Sequence, residues 1–186
     1  MTVKNVMIIC AKLLKNDELT EYLENNENND VELEKERESY LRAYNLIAEE
    51  LTCEYFPLTA EERVTPVNGK IKTSSLKKIP LKIKNVLRAD SGLPVKYRYI
   101  NDCLAVGDGD VIVSYEYCAE EADESKTFPL EPVPGKYVAA FGMAAQICYE
   151  NGLAGEAAVW KSKYDSAIRG RAAERRKLII KQRKWV

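Results

Sequence analysis

Partway along this chain the spacing of apolar residues changes from that of a helix to that of a strand, and later it changes back. After Thr65-Pro66 the sequence breaks into short runs, KIKTSSL, LKIKNVLR, PVKYRYI and DVIVSYEY. They are punctuated by Asn68-Gly69, Ser91-Gly92, Asn101-Asp102 and Gly107-Asp108-Gly109. Asn-Gly and Asp-Gly mark hairpin turns, because Gly, Asn and Asp tolerate the positive φ that such turns require. In PVKYRYI, Val95, Tyr97 and Tyr99 alternate with Lys96 and Arg98, the period of a half-buried strand. This stretch is expected to form a compact antiparallel β unit of about four or five short strands.

The flanks read as helices. Val3, Val6, Met7, Cys10, Ala11 and Leu14 share one face over residues 3–14, with Thr2 as N-cap. A polar linker, ENNENND, covers 24–30, and Asn29 or Asp30 can cap a longer helix. One face carries Leu33, Arg37, Tyr40, Leu41, Tyr44, Ile47, Ala48, Leu51 and Tyr55, Glu38 and Arg42 form an i,i+4 pair outside, and Pro57 ends it. A proline-bearing connector, 119–135, leads to an Ala-rich helix from Tyr137, stopped by Asn151-Gly152. A last helix begins near Gly155 with Ala157, Trp160, Tyr164, Ala167 and Ile168 inward. The expected fold class is therefore α+β: a helical bundle of N- and C-terminal helices with a small antiparallel β module inserted. Its segments are 1–62, 63–118, 119–135 and 136–186, one structural domain with an insert.

Charge follows these segments. The total is 28 basic against 29 acidic side chains, a net of −1, yet residues 1–62, 63–104, 105–160 and 161–186 carry −9, +8, −8 and +8. A chain basic throughout, as a generic nucleic-acid binder would be, is excluded, and so is an acidic disordered tail. Histidine is absent, which removes Ser–His and Cys–His nucleophile activation and His-containing zinc sites. The five cysteines, Cys10, Cys53, Cys103, Cys118 and Cys148, are odd in number and contain no CxxC pair. They are expected to be buried, reduced thiols of a cytosolic protein. The N-terminus lacks a signal-peptide cleavage pattern, and no apolar stretch approaches the roughly 20 residues that span a bilayer.

Motifs that carry chemistry are few. Gly69-Lys70 lacks the earlier Gly and the following Thr of a phosphate loop and sits in a hairpin context. Gly107-Asp108-Gly109-Asp110 lacks the spacing of a calcium loop, and Glu116 is expected on a solvent face. No catalytic residue, cofactor or metal is expected. Two surfaces stand out instead. Lys70 and Lys72, Lys82 and Lys84, and Lys96 and Arg98 lie two apart, so strands paired in order would present one strongly basic face. At the C-terminus Arg175, Arg176, Lys177, Lys181, Arg183 and Lys184 surround Ile180 and Trp185. Apolar anchors among cations are suited to a tail that docks on another molecule.

The layout resembles the head–tail connector, or adaptor, proteins of tailed bacteriophages and prophages over nearly the whole chain. It does so through NGKIKTSSLKK, IKNVLR, LPVKYRYIND and GDVIVSYEY, then FPLEPVPGKYVAAFGMAAQICYENG and EAAVWKSKYDSAI. The most telling part is the Ala-rich helix, the break at Gly152 and the run of Glu156, Trp160 and Tyr164. The linker 24–30 and the tail depart from the family pattern. The resemblance implies a non-enzymatic virion protein of the neck, assembled in the host cytoplasm as a homo-oligomeric ring of about twelve subunits. Its implied partners are the portal protein, reached by the C-terminal segment, the next neck or tail protein, and DNA in the central channel. In such a ring the acidic helices of one subunit would answer the basic β face or tail of the next. The alternative function is nucleic-acid binding through the basic β face and the C-terminal helix.

Overall fold

The computed structural model describes residues 1–25 and 30–177. The chain separates into two compact units, one of Met1–Leu51 with the residues from Glu120 onward, the other of Thr52–Ala119. Among the described residues there are five α-helices, all in the first unit, and six strands, all in the second, so the fold is α+β.

In the helical unit α1 (Val3–Leu13) starts at Thr2, whose side chain forms a reciprocal capping box with Asn5. It buries Val3, Val6, Met7, Cys10 and Ala11, the face expected from their spacing. The connector satisfies its first amides: Val3 N–H donates to Lys126 O at 2.9 Å and Lys4 N–H to Glu124 O at 3.0 Å. A second helix, α2 (Asp17–Asn25), follows at once; Asn16 Oδ1 accepts from Leu19 N–H at 3.1 Å. Its apolar stripe is only Leu19 and Leu23, too sparse for periodicity to announce it. Of the linker expected over 24–30, residues 26–29 lie outside the described residues.

Asp30 is the N-cap of α3 (Val31–Glu50), accepting from Glu32 N–H at 2.8 Å. This helix buries Tyr40, Ala43, Tyr44, Ile47 and Ala48. It stops at Glu50, short of the expected Tyr55, and Leu51–Tyr55 forms a π-helical turn. Glu38 and Arg42 are exposed and make no ion pair among the described residues, contrary to expectation. After the connector, α4 (Lys136–Glu150) packs against α1, α3 and the last helix, α5 (Ala154–Lys177). Its small residues allow this: Ala139, Ala140, Gly142, Ala144 and Ala145 are all buried, so neighbours approach on several sides. On α5 the buried positions are Ala157, Tyr164 and Ile168, while Trp160 and Ala167 are half-buried.

In the β unit the strands are β1 (Leu58–Val64), β2 (Lys70–Lys72), β3 (Lys82–Arg88), β4 (Arg98–Ile100), β5 (Cys103–Ala105) and β6 (Val111–Tyr117). They form two antiparallel three-stranded sheets, β1-β6-β3 and β2-β5-β4. The strands therefore do not pair in chain order. The unit begins at Thr52, where the sequence reading opens the insert at residue 63, because β1 lies in the segment counted with the helices. Alternation in β1 puts Glu62 inward, and its carboxylate accepts a hydrogen bond from the Tyr115 hydroxyl. A charged residue at an inward position hides the strand from a hydrophobic pattern. The core is built on Ile71, Val86, Leu104, Val111, Val113 and Tyr115.

The expectation of five reduced thiols fails. Cys53 and Cys118 form a disulfide with a Cα–Cα distance of 5.0 Å, while Cys10, Cys103 and Cys148 are free. Sequence spacing hides the pair because 65 residues separate its members. Antiparallel pairing of β1 with β6 places Leu58 opposite Tyr117 and so brings the flanking residues together.

Candidate interaction surfaces

In β2 Ile71 is buried, and period two leaves Lys70 and Lys72 on the opposite, exposed side. The register across the sheet aligns Lys70 with Ala105 and Ala105 with Arg98. The next row on that face aligns Lys72, Cys103 and Ile100. Residues directly opposite each other project from the same face. Lys70, Lys72 and Arg98 thus rim a strip floored by the small side chains of Ala105 and Cys103. The outer strands stand about 10 Å apart, two strand spacings, and Lys70 and Lys72 about 7 Å apart along the chain. None of the three cations makes an ion pair among the described residues.

The remaining lysines of the expected basic face go elsewhere. Lys82 lies opposite Glu116 in the other sheet, and Lys84 Nζ is 3.4 Å from Glu116 Oε1. A register shift between Ile83 and Asn85 disturbs the alternation there. Lys96 is exposed but precedes β4. Glu116 is half-buried and ion-paired rather than standing free on a solvent face. The six candidate cations therefore do not form one face. Three share the β2-β5-β4 sheet, two flank Glu116, and one lies on the chain leading into β4.

Beside the strip a cavity of about 510 Å³ is lined in part by Thr65, Asn68, Lys70, Lys72, Ser75 and Cys103. The Asn68-Gly69 corner next to it is a hairpin turn, with φ of 52° and 69°. Asp110 is already engaged: its carboxylate accepts from Thr65 Oγ1 at 2.8 Å and from Arg63 Nη2 at 2.8 Å. These bonds, that of Thr65 foremost, hold its pKa below the ordinary carboxylate range.

Negative charge concentrates on α2 and α3. Asp17, Glu18, Glu21, Glu24, Glu32 and Glu38 are exposed. Glu24 pairs with Lys12 at 2.7 Å. Glu34 is half-buried; it accepts from Tyr22 Oη at 2.5 Å and from Arg37 Nε at 3.0 Å, and Arg37 also bridges to Glu124. The Arg37 bonds are the main cause of a lowered pKa for Glu34. Among the described residues the carboxylates whose pKa departs from its ordinary value, Glu34, Asp90, Asp110 and Asp123, all shift downward. Each is held in the charged form by hydrogen bonds.

The run Glu156, Trp160 and Tyr164 lies on α5. Tyr164 is buried, Glu156 exposed, and Trp160 stacks on Phe141 of α4 at 5.9 Å between ring centroids with Lys163 Nζ 4.1 Å above it. A groove of about 380 Å³ between α3, α4 and α5 is lined in part by Ile47, Gly142, Ala157 and Tyr164. Of the expected docking tail, Arg175, Arg176 and Lys177 belong to the end of α5. Ile180, Lys181, Arg183, Lys184 and Trp185 lie outside the described residues. Sequence reasoning missed Cys103 and Ala105 as the floor of the cationic strip. No signal could have placed them, because the pairing of three-residue strands leaves no pattern in the sequence. No helix among the described residues is long and apolar enough to cross a membrane. No protein-family model matches the chain, and no curated protein matches it.

Proposed function

We propose that this chain is a non-enzymatic virion protein, a ring-forming adaptor that joins the portal vertex of a phage capsid to the tail and lines the DNA passage. The observation that carries the reading beyond the sequence resemblance is the separation of charge. Unpaired Lys70, Lys72 and Arg98 share one sheet face of the β unit, while exposed carboxylates crowd α2 and α3 of the helical unit. In a cyclic ring every subunit offers one surface to one neighbour and a different surface to the next. Opposite charges on two such surfaces favour the correct head-to-tail pairing and disfavour others. The C-terminal segment, from Arg175 to Trp185, is the part that would reach the portal.

The test is to mix the full chain with its portal protein and image the product by electron microscopy at low and at high salt. Rings seated on the portal are expected, thinning out as salt screens the interface. Rings indifferent to salt would count against charge-directed assembly, and absence of any portal complex would sink the adaptor reading. The second reading, nucleic-acid binding, is favoured by the same three unpaired cations. It expects affinity for a DNA duplex that falls log-linearly with salt and drops on Lys70→Glu with Lys72→Glu.

A further inference from the structure

Cys53 is the second residue of the β unit and Cys118 the last but one. The disulfide between them stands just beyond the β1–β6 ladder, whose outermost pair at that end is Leu58 with Tyr117. Next to it the Ala119 N–H donates to the Thr52 hydroxyl at 2.8 Å. One covalent link and one hydrogen bond therefore continue the closure where strand pairing stops. Everything between, all six strands and the core around Val113 and Tyr115, lies inside the closed loop. Both bridged cysteines are half-buried, within reach of a small reagent, whereas the thiols of Cys10 and Cys148 are buried among the helices. Burial also pushes the Cys10 thiol up, so it stays protonated and a poor nucleophile.

We propose that Cys53–Cys118 is a reversible thiol–disulfide exchange site that clasps the two ends of the β unit, its reaction partner being a small dithiol. In the exchange one thiolate of the dithiol attacks a sulfur of the bridge, the Cys53–Cys118 bond breaks, and a mixed disulfide forms. The second thiolate then displaces the protein sulfur. Two electrons and two protons pass to the chain, which ends with two thiols, while the dithiol becomes a cyclic disulfide. With the clasp shut, the ends of β1 and β6 cannot separate and the unfolded loop is constrained. With it open, that covalent constraint is lost, the Thr52–Ala119 bond and the ladder remain, and the ladder frays more readily from the Leu58 end. This inference does not depend on the adaptor reading.

The experiment uses the full chain, purified without reductant. Alkylation in denaturant is expected to label Cys10, Cys103 and Cys148 and to leave a linked peptide pair holding Cys53 and Cys118. Treating the native chain with dithiothreitol should release both. Hydrogen exchange at β1 and β6 amides should then run at least about tenfold faster, while α4 amides keep their rates. The Cys53→Ser, Cys118→Ser double variant should show the fast rates with or without dithiothreitol. If the double variant does not fold, the reductant comparison alone decides. A missing linked pair, a bridge that resists dithiothreitol in the native chain, unchanged β1 and β6 rates, or an equal change in α4 would each overturn the proposal.

Discussion

Gly142 shows how a single residue sets the distance between helices. A Cβ at this position would stand 2.8 Å from Ile47 Cγ2 and 2.8 Å from Tyr164 Cε2, closer than carbon atoms approach. Both neighbours are buried side chains packed against α4, so admitting a methyl means displacing them toward the groove that they line. Gly142→Ala should therefore lower stability by about 1 kcal/mol, overpacking outweighing the better helix propensity of Ala. Urea unfolding followed by far-ultraviolet circular dichroism measures it, and a stabilised variant would mean that α3, α4 and α5 part easily. The sequence marks Gly142 only as one small residue among several. Which small residue is indispensable depends on where Ile47 and Tyr164 arrive. Glu62 makes the complementary point. Its formal charge argues for solvent, yet it accepts the hydroxyl of buried Tyr115, whose pKa burial and that bond push up to about 12.

Among the elements, α2, α3 and the connector meet at Arg37, which bonds Glu34 and Glu124 while Tyr22 donates to Glu34. The folded pKa of Glu34 lies below its unfolded value, so the unfolded chain binds the extra proton first as pH falls. The stability this group contributes is full above about pH 5 and is lost as pH drops through its lowered folded pKa. Glu34→Gln should flatten the fall in stability of the helical unit between about pH 5 and pH 3. The check is thermal unfolding across that range, and parallel curves for the two proteins would remove Glu34 from the acid response. Long elements with regular stripes, such as α1, α3, α4 and β6, are legible in the sequence because many residues repeat the same signal. Short ones, α2 and β5, are not, since two or three residues cannot establish a period; the strand expected over PVKYRYI is present but shortened to β4. The basic face failed for a related reason. The lysine spacing was real, but β3 pairs with β6 in one sheet while β2 and β4 flank β5 in the other, and Lys96 falls before β4.

At the scale of the whole molecule the chain holds two units, each with its own core, and after Ile168 none of residues 169–173 is buried. Deleting residues 175–186 should leave the unfolding free energy of both units unchanged within about 0.5 kcal/mol, and, on the proposed adaptor role, should abolish docking to a portal protein. Circular dichroism and co-sedimentation measure the two outcomes. Docking that survives the deletion would place the portal contact elsewhere, and loss of folding would make the segment structural.

Helical flanks around a β insert, alternating blocks of charge and the absence of histidine were determined by the sequence alone. These features are local or compositional, and periodicity and counting report them without knowledge of which residues meet. Three things waited for the tertiary structure: which cations share a face, which two of five cysteines join, and which glycine has no room for a side chain. Each depends on contacts between residues far apart in the chain, fixed by strand register and helix packing rather than by any neighbour in sequence.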